Sequence, residues 1–353
     1  MASLAREEAR RARLKTLVLL ILLIALPVAA ALSLSAGPLA LTLPQIAAAL
    51  GWGQAPLQDF EAIAVTELRL PRLALALLIG SALAVSGAAM QGLFRNPLAE
   101  PGLAGISGGA ALGAVAMIVL GTPLGWVAAA GPGLAVSAAA FVGAALAAAA
   151  VARLAQVDGH TRIGTLLLAG LAVNAIAGAG IGFLAQIADD LALRSLTFWM
   201  FGSLGKAGWS DIAVAAPLIL VPQWLILRDA RALDALLLGE AAAGHLGVDV
   251  EQLKRRQLAM IVLAVGTAVS LAGIIGFVGL VTPHLIRLWA GPGHRYLLPA
   301  CALLGALLLT LADLLARSLL APGELAVGIL TTLIGGPFFL ALLIAFRRRA
   351  ELL

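Results

Sequence analysis

Charge is scarce in this chain. Of its 353 residues only 12% are charged, against roughly a quarter in an average soluble domain, while 62% are hydrophobic. No water-soluble fold hides that much apolar surface, so the chain reads as a polytopic membrane protein. The single cysteine, Cys301, lies in an apolar run, which excludes a disulfide framework and a cysteine zinc site. Histidines are few and scattered (His160, His245, His284, His294), and no metal site is expected. No GxxxxGK[ST] phosphate loop is present. GISGGA (Gly105–Ala110) and GPGHR (Gly291–Arg295) lack its lysine and its preceding strand. HExxH, GxSxG and paired-carboxylate patterns are missing too, so neither a catalytic site nor a bound cofactor is expected. The net charge of +5 does not imply a nucleic-acid partner, because the basic residues sit in short loops between apolar runs. No polar segment could form a soluble domain, so residues 1–353 read as one transmembrane domain.

What is there is apolar length. About ten runs are long enough to be spans: Leu17–Ser35, Leu73–Gly92, Leu103–Leu120, Val127–Leu154, Ile163–Ala185, Ile212–Leu227, Leu258–Gly273, Phe277–Ala290, Leu297–Leu320 and Leu325–Phe346. The first follows a basic start and could pass for a signal peptide cleaved near Ala29–Ala31; an uncleaved span is expected. Pro38, Pro44, Trp52 and Pro56, with a short apolar helix near Gln45–Leu50, read as an interfacial segment. If both termini face the cytoplasm, 18 of the 23 basic residues lie inside, leaving Arg69, Arg72, Arg194, Lys206 and Arg317 outside. That bias supports a cytoplasmic-membrane protein with both ends inside.

On that topology the one substantial polar stretch, Arg228–Arg256, is cytoplasmic. Asp234 can cap a first short helix that Gly247 ends, and Asp249 can start a second running into Lys254, Arg255 and Arg256. Either these helices lie at the membrane surface, offered to a soluble partner, or the stretch is a solvated loop joining two spans. Gly105/Gly109, Gly109/Gly113 and Gly178/Gly182 have the spacing that lets helix backbones approach. Arg95-Asn96-Pro97 and GFVGLVTPH (Gly276–His284) both put glycine or proline at a helix break. On this topology the breaks face opposite sides, as in an inverted repeat. Asp313 and Arg317, four apart in one span, read either as a self-neutralising pair or as a pair leaving Arg317 free at the outer mouth. His284 and Arg287 read as structural. Arg69 and Arg72, flanking Leu70-Pro71, would suit docking of an acidic protein surface or anchoring to headgroups. Two rival readings are a proton- or sodium-coupled carrier, whose one mid-membrane acid would be Asp313, and a polytopic membrane enzyme, for which no cluster of catalytic groups at one depth is visible.

Several longer motifs occur in a familiar order: RLPR (Arg69–Arg72), SGAAMQGLFRNPLAEPGLAGISGGA (Ser86–Ala110), LGEAAAGHLGV (Leu238–Val248), GIIGFVGLVTPHLIRL (Gly273–Leu288), HRYLLP (His294–Pro299), LADLLAR (Leu311–Arg317) and GELAVGILTTLIGGPFF (Gly323–Phe339). From about Leu68 to Phe346 the chain resembles the permease subunits of bacterial ABC importers for iron-siderophores, haem and cobalamin, the type II importer fold. The resemblance implies an all-α permease of ten spans and a homodimer around one pathway. It also implies two ATPase subunits on the cytoplasmic face, which would hold ATP and magnesium, and a periplasmic binding protein outside. Carried over by motif, Gly239, Glu240, His245, Leu246 and Gly247 become the ATPase-coupling residues. Arg69, Arg72 and Arg317 become docking arginines for the binding protein, and Asn174, in the fifth span, a pathway residue. The chain departs from the family pattern at Ala241, Asp234 and Ala326, where a glutamate, an asparagine and a proline are usual. The outer segment Leu193–Trp209 looks most like haem permeases. There Phe198, Trp199 and Phe201 offer flat apolar faces and Arg194 a cation for a propionate. An aromatic belt at the outer interface is the alternative; a ferric siderophore or cobalamin is the alternative cargo.

Overall fold

The computed structural model describes residues 2–350 except 38, 122, 127–130 and 321–322. The side chains of 2–9, 11, 12, 132, 343 and 345–350 are not described, so Pro38, the start of the Val127 run and the side chains of Arg6, Arg11 and Arg347–Arg349 lie outside the described residues. The architecture is helical. Its one strand pairing among the described residues is a small hairpin, Gln156–Val157 with His160–Thr161.

In chain order the helices are α1 (Ala2–Ser35), α2 (Leu43–Ala49), α3 (Asp59–Ile63), α4 (Leu70–Phe94), α5 (Ile106–Leu120), α6 (Pro132–Leu154), α7 (Ile163–Ile187) and α8 (Asp190–Met200). They continue as α9 (Trp209–Arg228), α10 (Ala230–Leu236), α11 (Glu240–His245), α12 (Val250–Ala272), α13 (Val278–Ala290), α14 (His294–Leu319) and α15 (Val327–Ala350). A π-helical turn, Ala64–Arg69, joins α3 to α4. Among the described residues, seven helices are long and apolar enough to cross a membrane; Ile106–Leu120 and Val327–Leu342 are shorter apolar helices. Each of the ten expected runs is thus a helix, though α13, with 13 residues, rises only about 20 Å and cannot cross a ~30 Å hydrocarbon layer alone.

Without a hydrophobic force between helices in lipid, close backbone packing and interhelical hydrogen bonds must hold the bundle. α4 is its centre. It touches α14, α12, α13 and α9, and the span that contains it is 83% buried in its apolar window. Glycines set these contacts: a Cβ on Gly80 would overlap the Gly305 carbonyl of α14, and one on Gly87 the Gly279 carbonyl of α13. Gln223 of α9 donates to the Ser81 hydroxyl at 3.0 Å. A second group forms where Gly109 and Gly113 of α5 meet Gly143 and Ala139 of α6, and α12 packs against both groups. Gly178 and Gly182, by contrast, face open space, so the third glycine pair makes no helix contact within the chain.

The two helix breaks begin at opposite ends of the bundle, as expected: Arg95 and Pro97 are exposed at the end of α4 beside Gly239, and Gly273 follows the far end of α12, against Gly202. Arg95 ends α4 in the left-handed region (φ 50°), and Gly273 (φ 74°) and Phe277 (φ 66°) bound the break between α12 and α13. The Phe277 N–H donates to the Glu100 carboxylate at 3.3 Å, and Gln91 Nε2 donates to the Gly279 carbonyl at 3.3 Å. The chain beyond each break folds back into the bundle, where Glu100 and Phe277 meet, because α13 is too short to begin at the far surface.

Candidate functional site

Three places gather the polar chemistry. The first is the stretch between α9 and α12. The expected two-helix division is only partly right. Residues 234–247 do not form one helix; the chain breaks at Leu237–Gly239, where Gly239 takes φ 111° to start α11. Gly247 does end the segment in the left-handed region (φ 84°), and the Asp249 carboxylate caps α12 through the Gln252 N–H at 2.9 Å. That second helix is not short, since it continues as a span. Asp234 lies inside α10 and caps a distant helix: its carboxylate accepts from the backbone N–H of His294 at 2.7 Å and lies 2.8 Å from Nδ1 of the buried His294 ring. Burial pushes the Asp234 carboxyl up, but the His294 hydrogen bonds outweigh it and hold the group below its ordinary value. This contact is therefore intact at neutral pH and lost only as pH falls through that lowered value.

The expected coupling residues divide into two sets. Ala241, Gly244, His245, Leu246 and Gly247 are exposed; Leu246, at 64%, and Leu238, at 71%, present apolar side chains at the two ends of α11. Glu240 instead turns back, its carboxylate 2.8 Å from Lys254 Nζ. Lys254, buried at 3%, also meets Glu251 at 3.1 Å and donates to the Thr161 carbonyl at 3.2 Å, while the Thr161 N–H donates to Glu251 at 3.0 Å. One lysine thus ties α11, α12 and the hairpin together. Sequence reading missed it, since its partner at Thr161 is 93 residues away.

The second place is at the opposite end of the bundle. Arg69 donates to the carbonyls of Leu34, Ser35 and Leu39. Arg72 forms a two-pronged pair with Asp313, at 2.9 and 3.0 Å, and reaches Glu324 at 2.9 Å. Arg317 donates to Ser33 and to the Ala36 carbonyl, 3.6 Å from Asp313. With its side chain 7% exposed, Arg317 is not free at the mouth, which corrects that reading; the pairing reading was right but incomplete, because Arg72 is the closer partner. Desolvated charges are tolerated here because each guanidinium has carbonyl or carboxylate acceptors. The three arginines clamp the end of α1 to α4 and α14.

The third place is α7 with α8. Asn174 does not lie on the exposed stripe of α7. Its Nδ2 donates to the Gly102 carbonyl at 2.9 Å, locking α7 to the turn before α5. The stripe itself carries Leu168, Leu171, Ile176 and Phe183. In α8, Arg194 lies 5.8 Å from the centre of the Phe198 ring, with Phe198 and Phe201 exposed and Trp199 half-buried against the core. Glu100, passed over within RNPLAEPG, is the acid that joins the two breaks. His284 stacks edge-on against Phe338, and Arg287 donates to Gln91, as their structural reading required. No group of three metal-ligating side chains occurs among the described residues.

Residues 17–345 match the FecCD transport family. The hemin transport system permease protein HmuU of Yersinia pestis is 49% identical over 285 residues, covering 80% of this chain and 83% of that protein. The cobalamin import system permease protein BtuC of Halobacterium salinarum is 43% identical over 293 residues, covering 82% and 76%. A solved metal-chelate type ABC transporter in an inward-facing conformation superposes with a TM-score of 0.81 at 30% identity, covering 93% of this chain and 99% of that one. A multi-pass helical bundle with these motifs, matched along nearly its whole length, is a member of the FecCD transport family: an ABC importer permease.

Proposed function

We propose that the chain is the pathway-forming subunit of an ATP-driven importer, working as a homodimer with both termini in the cytoplasm. Two separate ATPase subunits push α11, and a periplasmic binding protein delivers haem at the opposite end. The observation that carries this reading is the α10–α11 segment, with exposed Leu246 and Leu238 on a base anchored by Lys254 and Asp234. Exposed apolar side chains on a polar base are what a soluble partner's groove would take. They lie at the end richest in arginine, which the positive-inside rule places in the cytoplasm. The exposed faces of α7 and α15 are apolar, with Leu168, Leu171, Ile176 and Phe183 on one and Leu333, Ile334 and Leu340 on the other, which suits a second copy around a shared pathway. Haem is favoured by the similarity to the Yersinia hemin permease and by the Arg194, Phe198 and Phe201 set on α8. A siderophore or cobalamin would use the same machine, and the cobalamin relatives keep that reading open. An ion-coupled carrier is disfavoured by Asp313, whose charge is already met by Arg72 and Arg317.

The test is capture of the ATPase subunit by the purified permease. Leu246→Glu should lower capture at least ten-fold, and Leu168→Ala should leave it unchanged. Equal capture by wild type and Leu246→Glu would remove α11 from the coupling role.

A further inference from the structure

α9 carries one exposed stripe, Val214, Pro217, Leu220, Val221 and Trp224, at three- and four-residue spacing, while Ala215, Ile219, Pro222, Gln223 and Ile226 are buried on its other side. In a membrane bundle such an apolar stripe meets lipid. It ends at Arg228, whose guanidinium lies 5.9 Å from the centre of the Trp224 ring. Just beyond is a pocket of about 290 Å³ lined by Leu227, Arg228, Ala230, Arg231 and Arg295. Three arginines from three elements, the end of α9, the first turn of α10 and the start of α14, therefore share one small pocket. No carboxylate lines it. The acids of the adjoining segment are engaged by other groups: Asp229 binds Arg256 at 2.7 Å and Gln257 at 2.7 Å, and Asp234 binds His294 and the backbone of Arg295 rather than its guanidinium. Among the described residues none of the three guanidiniums has a carboxylate partner.

Three like charges around one pocket repel each other until an anion stands between them. We propose that this pocket binds the phosphodiester headgroup of an anionic glycerophospholipid, with an acyl chain lying along Leu220, Val221 and Trp224. Arginine's planar fork matches phosphate oxygens. Basic pockets between spans suit anionic headgroups, and tryptophan marks headgroup depth. The stripe leading into the pocket selects a lipid over a free anion, which has no chain to lay there. The site requires neither the cargo nor the ATPase.

The test is native mass spectrometry of the full-length permease, released from detergent in the presence of equal phosphatidylglycerol and phosphatidylcholine. Wild type should retain phosphatidylglycerol in preference by about ten-fold, equivalent to about 1.4 kcal/mol. The triple variant Arg228→Gln, Arg231→Gln, Arg295→Gln should bring the preference near unity. The control Arg153→Gln, Arg162→Gln, Arg255→Gln, which removes equal charge at the same end, should keep it. If the first triple variant does not give monodisperse protein, Arg295→Gln alone, on an exposed residue, should shift the preference in the same direction. Excess inorganic phosphate should leave the lipid bound. The proposal is overturned by equal preference in wild type and variant, or by equal loss in both triple variants. It is also overturned if phosphate displaces the lipid, or if lipid binding is unchanged while ATPase capture is lost, which would mark an acidic protein's docking face.

Discussion

At the scale of single residues, buried charges are held by partners far away in sequence. Asp313 lies between Arg72 and Arg317 at 2% exposure. Asp313→Asn would leave two partly buried cations short of an anion, a loss of about 3–5 kcal/mol for a buried pair. Thermal unfolding followed by size-exclusion chromatography should show a markedly lower midpoint. The same cluster tests binding-protein docking. Glu324 competes for Arg72 and is half exposed, so Glu324→Gln should tighten docking if Arg72 meets a partner's carboxylate. An unchanged dissociation constant would leave the arginines as clamps alone. Glu240 needs similar care. Because it neutralises Lys254, Glu240→Gln should loosen α11 from the hairpin and raise the ATP hydrolysed per cargo imported, with ATPase capture largely retained. The i,i+4 spacing of Asp313 and Arg317 was legible in the sequence. Arg72, 241 residues away, was not, since no local pattern encodes a pair made only by folding.

At the scale of elements, apolar runs translated into helices because spans must satisfy their own backbone hydrogen bonds in lipid. Spacing alone could not say which glycine pairs touch. Gly109/Gly113 and Gly178/Gly182 share one spacing, yet the first pair packs on α6 and the second meets nothing. Gly80→Ala, which forces α4 away from Gly305, should cost about 1–3 kcal/mol by overpacking, whereas Gly182→Ala should stay within about 0.5 kcal/mol. Equal shifts in melting temperature for both would contradict the contact assignment. The polar stretch was read as two helices with the wrong division. Asp234 looked like a local cap because Asp commonly is one, but its carboxylate was already committed to the start of α14. The depth of the second break was likewise hidden, because length counting places a break at a surface. The shortness of α13 and the Glu100 contact place its Phe277 end inside, whereas Arg95 and Pro97 are exposed as read.

At the scale of the whole molecule, a bundle packed on small residues moves most readily as rigid groups sliding on glycine contacts. α4 and α14 form one such group, α5 and α6 another, and α12 bridges them. Lys254 links α11 to the base of α12 and to the hairpin that leads into α7. A push on α11 would reach the exposed face of α7 by that route. The most direct measurement is uptake by proteoliposomes holding the permease with its ATPase and binding protein, with haem as cargo. The account predicts haem accumulation that requires ATP and the ATPase, and its loss in Leu246→Glu with the permease still folded. Accumulation without the ATPase, or undiminished in that variant, would contradict it.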